Sequence, residues 1–340
     1  MTTRSREHAW IEWIQKTQGP LPSARFPVGI GDDAALWRPQ ARKDLVLTVD
    51  TQVEGTHFRR HWLGPGDIGW RAVSASVSDL AAMAASPGCL LIAIHADESL
   101  RDGEFRKLYR GILDASKNYS IPVAGGNISR GRLSVTVTAL GEVDRGIPLC
   151  RSGLRPDDEI WVTGAPGLAH IGLLLLDDKL ALPRGSRLAR RALDAFRRPT
   201  ARVEEASFLR RHWPLSGMID LSDGLRKDLR HLLDATTKRS GKPLGIEVHE
   251  EAFYRIAELR EVAARADLSP VDSALIGGDD YELCFAARPR KTSSRAARVF
   301  GKRHSLTLTR IGRVVRTPGL RLLRRDRSTT VVDVSGFEHF

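Results

Sequence analysis

Apolar positions recur at helical and strand spacings along the first half of the chain and predict a mixed succession of helices and strands. Trp10, Ile11 and Ile14 share one face of a helix predicted over residues 5–18. The later segments predict a strand at 44–50, a small-residue helix at 66–86 ended by Pro87-Gly88, a strand at 90–96, a helix at 103–117, a strand at 121–126 and an alternating strand at 132–143.

A polar, turn-rich segment, RSGLRPDD at 151–158, divides this pattern into two halves. Because 340 residues are long for a single core, we expect an N-terminal domain over 1–150 and a C-terminal domain over 151–340. The second half predicts a strand at 159–164, helices up to about 211, a strand ending in aspartates within 217–225, a leucine-rich helix after it, a glycine turn and strand within 274–287, and a strand at 305–315. The fold class is therefore mixed α and β.

Composition restricts the class of protein. Hydrophobic residues make up 41% and charged residues 28% of the chain, as in folded globular proteins and unlike disordered ones. No apolar run approaches the ~18 residues that span a bilayer, and the N-terminus lacks the pattern of a signal peptide. Cys89, Cys150 and Cys284 form neither a disulfide framework nor a metal knuckle. We therefore expect a cytoplasmic protein without a membrane segment.

The net charge of +12 raises the question of nucleic-acid binding. Arginines crowd residues 184–212 and 315–327, but in the first run Leu188, Ala192, Leu193 and Phe196 keep a helical spacing. The arginines there are expected on the solvent face of a helix. Since no zinc-finger or RNP pattern accompanies them, nucleic acid is an unlikely partner, and a basic surface that attracts anionic substrates is the alternative.

Aspartates stand at apolar strand ends or glycine turns in several separate segments. They are Asp32 and Asp33, Asp50, Asp220 and Asp223, and Asp279 and Asp280, with Asp79 on the small-residue helix. A single aspartate of this kind is more often a turn former or helix N-cap than a ligand. Their recurrence favours Mg²⁺ or Mn²⁺ beside a phosphate group, because these ions prefer oxygen ligands.

The common nucleotide-binding signatures are missing from the sequence. It contains no GxxxxGK[ST], no kinase HRD or DFG set, and no GxGxxG after a strand. GAPGLAHIG at 164–172 places glycines before a helix, which could bind an anion but is more typical of an ordinary strand–helix connection.

A series of short motifs nevertheless occurs in a recognisable order. They are GIGDDAA, TVDTQVEGTHF, SVSDLAAMAASP, GGNISRG, RSG, VTGAPG, RRPTARV, MIDLSDGL and GGDDYELCF. In this order they resemble the thiamine-monophosphate kinase family, within the superfamily of aminoimidazole ribonucleotide synthetase and selenophosphate synthetase. The resemblance runs from about residue 25 to the C-terminal GFEHF.

This resemblance implies a two-domain aminoimidazole ribonucleotide synthetase-like fold and a homodimer whose N-terminal domains form a shared β-barrel. The N-terminal domain would bind ATP and Mg²⁺, and the C-terminal domain would complete the active-site cleft. The implied reaction moves the γ-phosphoryl group of ATP directly onto thiamine monophosphate. Mg²⁺ is the implied cofactor, and ATP and thiamine monophosphate are the implied small-molecule partners.

The resemblance also assigns residues to roles. Metal ligands would be Asp33, Thr48, the backbone of Val49, Asp50, Asp79, Asn127, Asp220 and Asp223. ATP would contact Gly126, Asn127, Arg151 and Ser222, and thiamine phosphate would contact His57, Asp279 and Phe337. Taken alone, His57 would be read as a polar loop residue and Phe337 as a core aromatic.

Four positions depart from the family pattern: Val49 stands where a threonine is often found, Arg226 replaces a usual apolar residue, and Asn127 and Asp279 differ at assigned side chains of the site. Asn127 replaces an aspartate, which keeps an oxygen ligand but removes its charge and should weaken one metal site. Asp279 replaces a glutamate and is one methylene shorter. These changes leave two alternatives to the kinase: a superfamily member that uses ATP on another acceptor, and a noncatalytic nucleotide-binding protein.

Overall fold

The computed structural model describes residues 6–332 except 22–23, 31, 147, 184 and 267, so Phe337 lies outside the described residues. The chain forms two compact units. The first comprises Met1–Leu80 with Ala85–Ile147, and the second comprises Ala81–Ala84 with Pro148–Phe340.

The first unit combines a four-stranded sheet with three helices. Its elements are α1 (Arg6–Gln18), β1 (Lys43–Val53), α2 (Pro65–Ala82), β2 (Ser86–Ala96), α3 (Asp102–Asn118), β3 (Val123–Arg130) and β4 (Ser134–Asp144). The strand order is β1-β4-β2-β3, with β2 and β3 parallel and the other neighbours antiparallel. β1 and β3 are therefore the two edges of the sheet.

Close approaches of backbone hold the helices of this unit together. A Cβ at Gly69 of α2 would lie 2.1 Å from the carbonyl oxygen of Leu108 in α3, so only glycine allows these helices to pack at this distance. Trp10 of α1 stacks on Phe105 of α3 with ring centroids 3.9 Å apart.

The predicted helix over 66–86 is shorter in the structure than the sequence suggests. It ends at Ala82, because Ala84 adopts a left-handed backbone with φ 51° and the chain then reverses. Pro87 lies inside β2, beside a register irregularity between Pro87 and Cys89. Proline is tolerated in a strand at such irregularities, so Pro87-Gly88 opens the strand instead of ending the helix.

The second unit contains a seven-stranded mixed sheet. Its strands are β5 (Glu159–Thr163), β6 (Leu215–Asp220), β7 (Gly245–His249), β8 (Leu283–Ala287), β9 (Leu308–Val315), β10 (Gly319–Leu323) and β11 (Thr329–Val331). Its helices are α4 (Leu168–Leu176), α5 (Arg187–Arg197), α6 (Val203–His212), α7 (Leu225–Ser240), α8 (Glu250–Phe253), α9 (Ala257–Ala266), α10 (Pro270–Ile276) and α11 (Ser293–His304). The strand order is β11-β10-β7-β9-β5-β8-β6.

Both faces of this sheet are covered. Ile160 and Val162 of β5 belong to one apolar core, whereas Trp161 between them belongs to a second core on the opposite face. All five residues of β5 and of β8 are buried. Central strands covered on both faces read as continuous apolar runs, as EIWVT and LCFAA do.

The arginine-rich run forms α5 with an apolar face, as its spacing predicts. Leu188, Ala192 and Phe196 are buried and Leu193 is half-buried, while Arg187, Arg190 and Arg191 are exposed. Among the helices of the described residues, none is long and apolar enough to cross a membrane.

Candidate active site

Thr48, Asp50 and Asp79 come together between β1 and α2 in the first unit. The Thr48 hydroxyl donates a hydrogen bond to Asp79 Oδ2 at 2.5 Å. Asp50 follows two residues later on the strand and so shares the face of Thr48, within hydrogen-bonding reach of the Ser76 hydroxyl on α2. A strand and a small-residue helix thus place two carboxylates and a hydroxyl side by side.

The electrostatics of this group favour a cation. Burial and then the negative charge of Asp79 raise the pKa of Asp50 to about 6, while Ser76 lowers it. Two neighbouring carboxylates that resist joint ionisation are stabilised in their charged forms by a bound cation. Carboxylate and hydroxyl oxygens are ligands that suit Mg²⁺, so this donor set fits the implied metal.

A cavity of about 530 Å³ in the same unit collects a second set of predicted residues. Asp32 and Asp33, from the loop before β1, line it together with Gly126 and Asn127 of β3. Apolar side chains that include Ile11, Ile14, Ile94 and Tyr109 line it too. Apolar walls with a few polar groups are typical of small-molecule sites.

Gly126 is required by the packing of β3 on β2. A Cβ at this position would lie 1.8 Å from the carbonyl oxygen of Ile92, which no side chain allows. The pairing of β3 with β2 is therefore sufficient to require glycine at this position. An ATP contact at Gly126 would use its backbone.

Within one chain, the sheet separates Asn127 from Asp50. Asn127 lies opposite Ala93 of β2, Ala93 lies opposite Thr136 of β4, and Thr136 lies opposite Thr51 of β1. Because neighbouring strands are about 4.8 Å apart, three such steps amount to roughly 14 Å. The structure thus brings Asn127 to the cavity with Asp33 and leaves it away from the carboxylate pair.

The turn after β1 fixes His57. Its Nδ1 accepts a hydrogen bond from the backbone N–H of Val53 at 3.1 Å, and its own backbone N–H donates to the Val53 carbonyl at 2.9 Å. A neutral ring that accepts at Nδ1 carries its proton on Nε2. The Val49 side chain is 60% exposed on the face of β1 opposite to Thr48 and Asp50, so only its backbone could join their site.

In the second unit, the loop after β6 pairs with the loop before β8. The N–H of Asp279 donates to the Ser222 carbonyl and that of Tyr281 to the Leu221 carbonyl, both at 2.8 Å. Asp279 and Tyr281 have φ of 65° and 52°, a left-handed backbone that costs about 1–3 kcal/mol for side chains of this kind. The Tyr281 hydroxyl donates to Asp279 Oδ1 at 3.2 Å and so holds this carboxylate in place.

Asp220 and Asp223 stand at the start of the same region. Asp220 ends β6 and is 2% exposed, whereas Asp223, in the loop before α7, is exposed. The imidazole of His231, opposed by partial burial, lowers the pKa of Asp223, and Lys227 lowers it further. These groups place a second acidic cluster at the N-terminus of α7.

The sequence interpretation missed Asp228 and His231. Asp228 is 1% exposed on the leucine face of α7, and burial, followed by the charges of Asp220 and Asp223, raises its pKa well above the usual range, while Arg151 lowers it. A signal was present, because an aspartate between Leu225 and Leu229 interrupts an apolar helix face. Arg151, predicted to contact ATP, is itself exposed.

Asp280, although it belongs to an acidic pair with Asp279, binds backbone groups of the protein itself. Its carboxyl accepts hydrogen bonds from the backbone N–H groups of Gly167 at 2.5 Å and Ala169 at 3.0 Å. It therefore satisfies the N-terminus of α4, so the anion facing the GAPG turn is a side chain of the protein itself. Burial raises the pKa of Asp280 to about 8 against the effect of these two donors.

A buried ion pair joins two of the short motifs. Glu282 accepts from Arg202 Nε at 2.8 Å and Arg202 Nη2 at 2.5 Å, and from the Thr163 hydroxyl at 2.5 Å. The Thr163 oxygen in turn accepts from the Leu283 N–H at 2.8 Å. Arg202 of RRPTARV and Glu282 of GGDDYEL thus connect the start of α6 with β5 and the start of β8.

Comparisons with known proteins identify relatives of this chain. The family described as AIR synthase related protein, N-terminal domain, matches residues 31–143. The thiamine-monophosphate kinase of Salmonella typhimurium is 35% identical over 323 residues, which cover 94% of each chain. The crystal structure of thiamine-monophosphate kinase from Stenotrophomonas maltophilia K279a superposes with a TM-score of 0.79 at 33% identity, over 92% of this chain and 95% of that one.

A further solved structure, AaThiL complexed with AMPPCP and TMP, has a TM-score of 0.72 at 30% identity, and the match covers 100% of both chains. Similarity on this scale extends through both units, including the segments that carry the two acidic clusters. The chain therefore belongs to the thiamine-monophosphate kinase family.

Proposed function

We propose that this protein transfers the γ-phosphoryl group of ATP to thiamine monophosphate and forms thiamine diphosphate. The observation that carries the proposal is the close carboxylate pair Asp50 and Asp79, with Thr48, in a chain that matches this family over its length. The relative AaThiL was solved with AMPPCP, an ATP analogue, and with TMP.

The reaction requires little covalent chemistry from the protein. An oxygen of the thiamine phosphate forms a bond to the γ-phosphorus, the bond from that phosphorus to the β–γ bridging oxygen breaks, and ADP leaves with the electron pair. Because both reactants are polyanions, catalysis depends on positioning and charge neutralisation. Bound Mg²⁺ would supply that neutralisation.

Each acidic cluster has its own part in this proposal. Asp33, Thr48, the backbone of Val49, Asp50, Asp79, Asn127, Asp220 and Asp223 would hold Mg²⁺. Gly126, Asn127, Arg151 and Ser222 would contact ATP, and His57 and Asp279, together with Phe337, would contact thiamine phosphate. The fixed tautomer of His57 and the strained loop at Asp279 support these two positions as preorganised contacts.

We also propose that the protein is a homodimer through the open face of the first sheet. Leu45, Leu47 and Val49 of β1 are 43%, 65% and 60% exposed, and Leu91 of β2 lies in the same row as Val49. An exposed apolar strip on an edge strand is typical of an interaction surface. Leu47→Glu should then shift the mass measured by light scattering from dimer to monomer, and an unchanged mass would reject this interface.

ADP formation with thiamine monophosphate, with and without Mg²⁺, tests the function. Asp50→Asn should reduce the rate by about a hundredfold or more while circular dichroism stays unchanged. Asp44→Asn is the matched control, since Asp44 lies on the same strand with its side chain 48% exposed beside Arg145. ATP binding without turnover of the wild-type protein would support the noncatalytic alternative instead.

A further inference from the structure

Asp223, a proposed Mg²⁺ ligand, forms a cluster at the start of α7 with Asp228 and His231, two residues to which the proposed Mg²⁺ chemistry assigns no role. One ligand atom from each lies within 4.8 Å of the others. Asp228 and His231 are three residues apart on the helix and so share one face, and Asp223 precedes the helix. Atoms on opposite sides of one ion with ~2.1 Å bonds are about 4.2 Å apart, so small side-chain rotations would bring all three to a common ion.

The burial and hydrogen bonding of Asp228 also point to a ligand at this cluster. Its side chain is 1% exposed, and although its carboxyl group accepts a hydrogen bond from the backbone of Asp223, its Oδ2 has no hydrogen-bond partner among the residues that the structure describes. A buried carboxyl oxygen without a hydrogen-bond partner is unfavourable, because it has lost its hydration and gained no bond in exchange. The carboxyl group that carries this oxygen supplies one of the three ligand atoms of the cluster.

Several charged groups lie close to the carboxylates of this cluster. Lys227 Nζ lies 3.3 Å from Asp223 Oδ2, and His231 Nε2 lies 3.8 Å from the same oxygen. Arg151 acts on Asp228 from the segment before β5, and Asp220 adds a further negative charge. Lys227 is therefore the cation that a metal ion beside Asp223 would have to displace.

We propose that Asp223, Asp228 and His231 bind a divalent first-row transition-metal ion, of the Mn²⁺ or Zn²⁺ type. Two carboxylates and one imidazole suit such ions, whereas Mg²⁺ prefers oxygen ligands only. The side chains of His231 and Asp223 are 39% and 40% exposed, which gives the ion a route from solvent. This site goes beyond the kinase reaction, although Asp223 is also one of the proposed Mg²⁺ ligands.

The test uses the full-length protein without nucleotide, with Mn²⁺ as the probe. The proposed ligands of the first unit are all oxygen atoms, so a ¹⁴N modulation in the electron spin echo of bound Mn²⁺ would report imidazole ligation. We expect this modulation in the wild-type protein and in His212→Gln, a control on α6, and its loss in His231→Gln. Asp228→Asn, nearly isosteric, should remove about one equivalent of bound Mn²⁺ in the same titration.

A substitution of Lys227 should strengthen Mn²⁺ binding instead of weakening it. Lys227→Met removes the competing ammonium group and should tighten Mn²⁺ binding at this site, whereas Arg230→Met, which loses only the exposed pair with Asp234, should not. Absence of ¹⁴N modulation in the wild type, its persistence in His231→Gln, or no tightening in Lys227→Met would each overturn the proposal. Thiamine-monophosphate kinase activity with Mg²⁺ is measured separately, so failure of one proposal does not imply failure of the other.

Discussion

The pair formed by Arg202 and Glu282 allows a quantitative test of how the second unit is held together. The side chains are only 18% and 8% exposed, and the guanidinium makes two hydrogen bonds to the carboxylate. Arg202→Met would leave the Glu282 carboxylate buried with the Thr163 hydroxyl as its remaining hydrogen-bond donor among those described above. Removing one partner of a buried ion pair destabilises a protein by about 3–5 kcal/mol.

A matched control lies in the same unit. Arg265 pairs with Glu261, and these side chains are 47% and 40% exposed, so Arg265→Met should reduce the free energy of unfolding by less than about 1 kcal/mol. The two variants make the same chemical change and differ in the burial of the pair. Their comparison therefore isolates the effect of desolvation.

Unfolding of this unit can be followed by urea titration with hydrogen exchange of peptides that cover β5 and β8. With an m-value of about 2 kcal/mol/M, Arg202→Met should lower the urea midpoint by about 1.5–2.5 M. The double variant Arg202→Met, Glu282→Gln should recover part of this loss, because it no longer buries an unpaired charge. A midpoint within about 0.5 M of wild type for Arg202→Met would refute the reasoning.

Two further predictions concern the proposed metal ligands of the first unit. Since the pKa of Asp50 is raised to about 6, protons compete with the cation below that value, and the Mg²⁺ affinity measured by calorimetry should fall about tenfold from pH 7 to pH 5. A Mg²⁺ affinity that does not change with pH would contradict this account. The same raised pKa means that ionisation of Asp50 destabilises the metal-free fold as pH rises through about 6. Asn127→Asp should lower the Mg²⁺ concentration for half-maximal rate because it restores a negative charge, and an unchanged concentration would remove Asn127 from the metal site.

Local patterns were sufficient for most elements of the first unit and for the apolar face of α5. The boundary of α2 was mispredicted because Pro87 serves in a strand irregularity that only the pairing of β2 with β4 reveals. In the second unit, the sequence interpretation did not identify β7, α8, α9, α10, α11, β10 or β11. The strands among them depend on partners distant in sequence, as in the parallel pairing of β7 with β10.

The candidate site shows the same limit. The acidic positions could be found from strand ends, but the separate roles of Asp279 and Asp280 depend on α4, more than a hundred residues earlier in the chain. The pairing of Arg202 with Glu282 spans 80 residues, so no local spacing signals it. Asp228 could have been found, since a carboxylate on a leucine face is unusual enough to require a partner.

The loop that carries Asp279 is anchored on both sides, through Asp280 to α4 and through Tyr281 to Leu221. As the proposed contact for thiamine phosphate, a loop held in this way would lose little conformational freedom on binding. It would select by rigid fit, because a ligand with a shifted charged group would meet a carboxylate that a hydrogen bond holds in place. Under this proposal, a change of specificity would come from exchanging the side chain at position 279 while the loop backbone stays fixed.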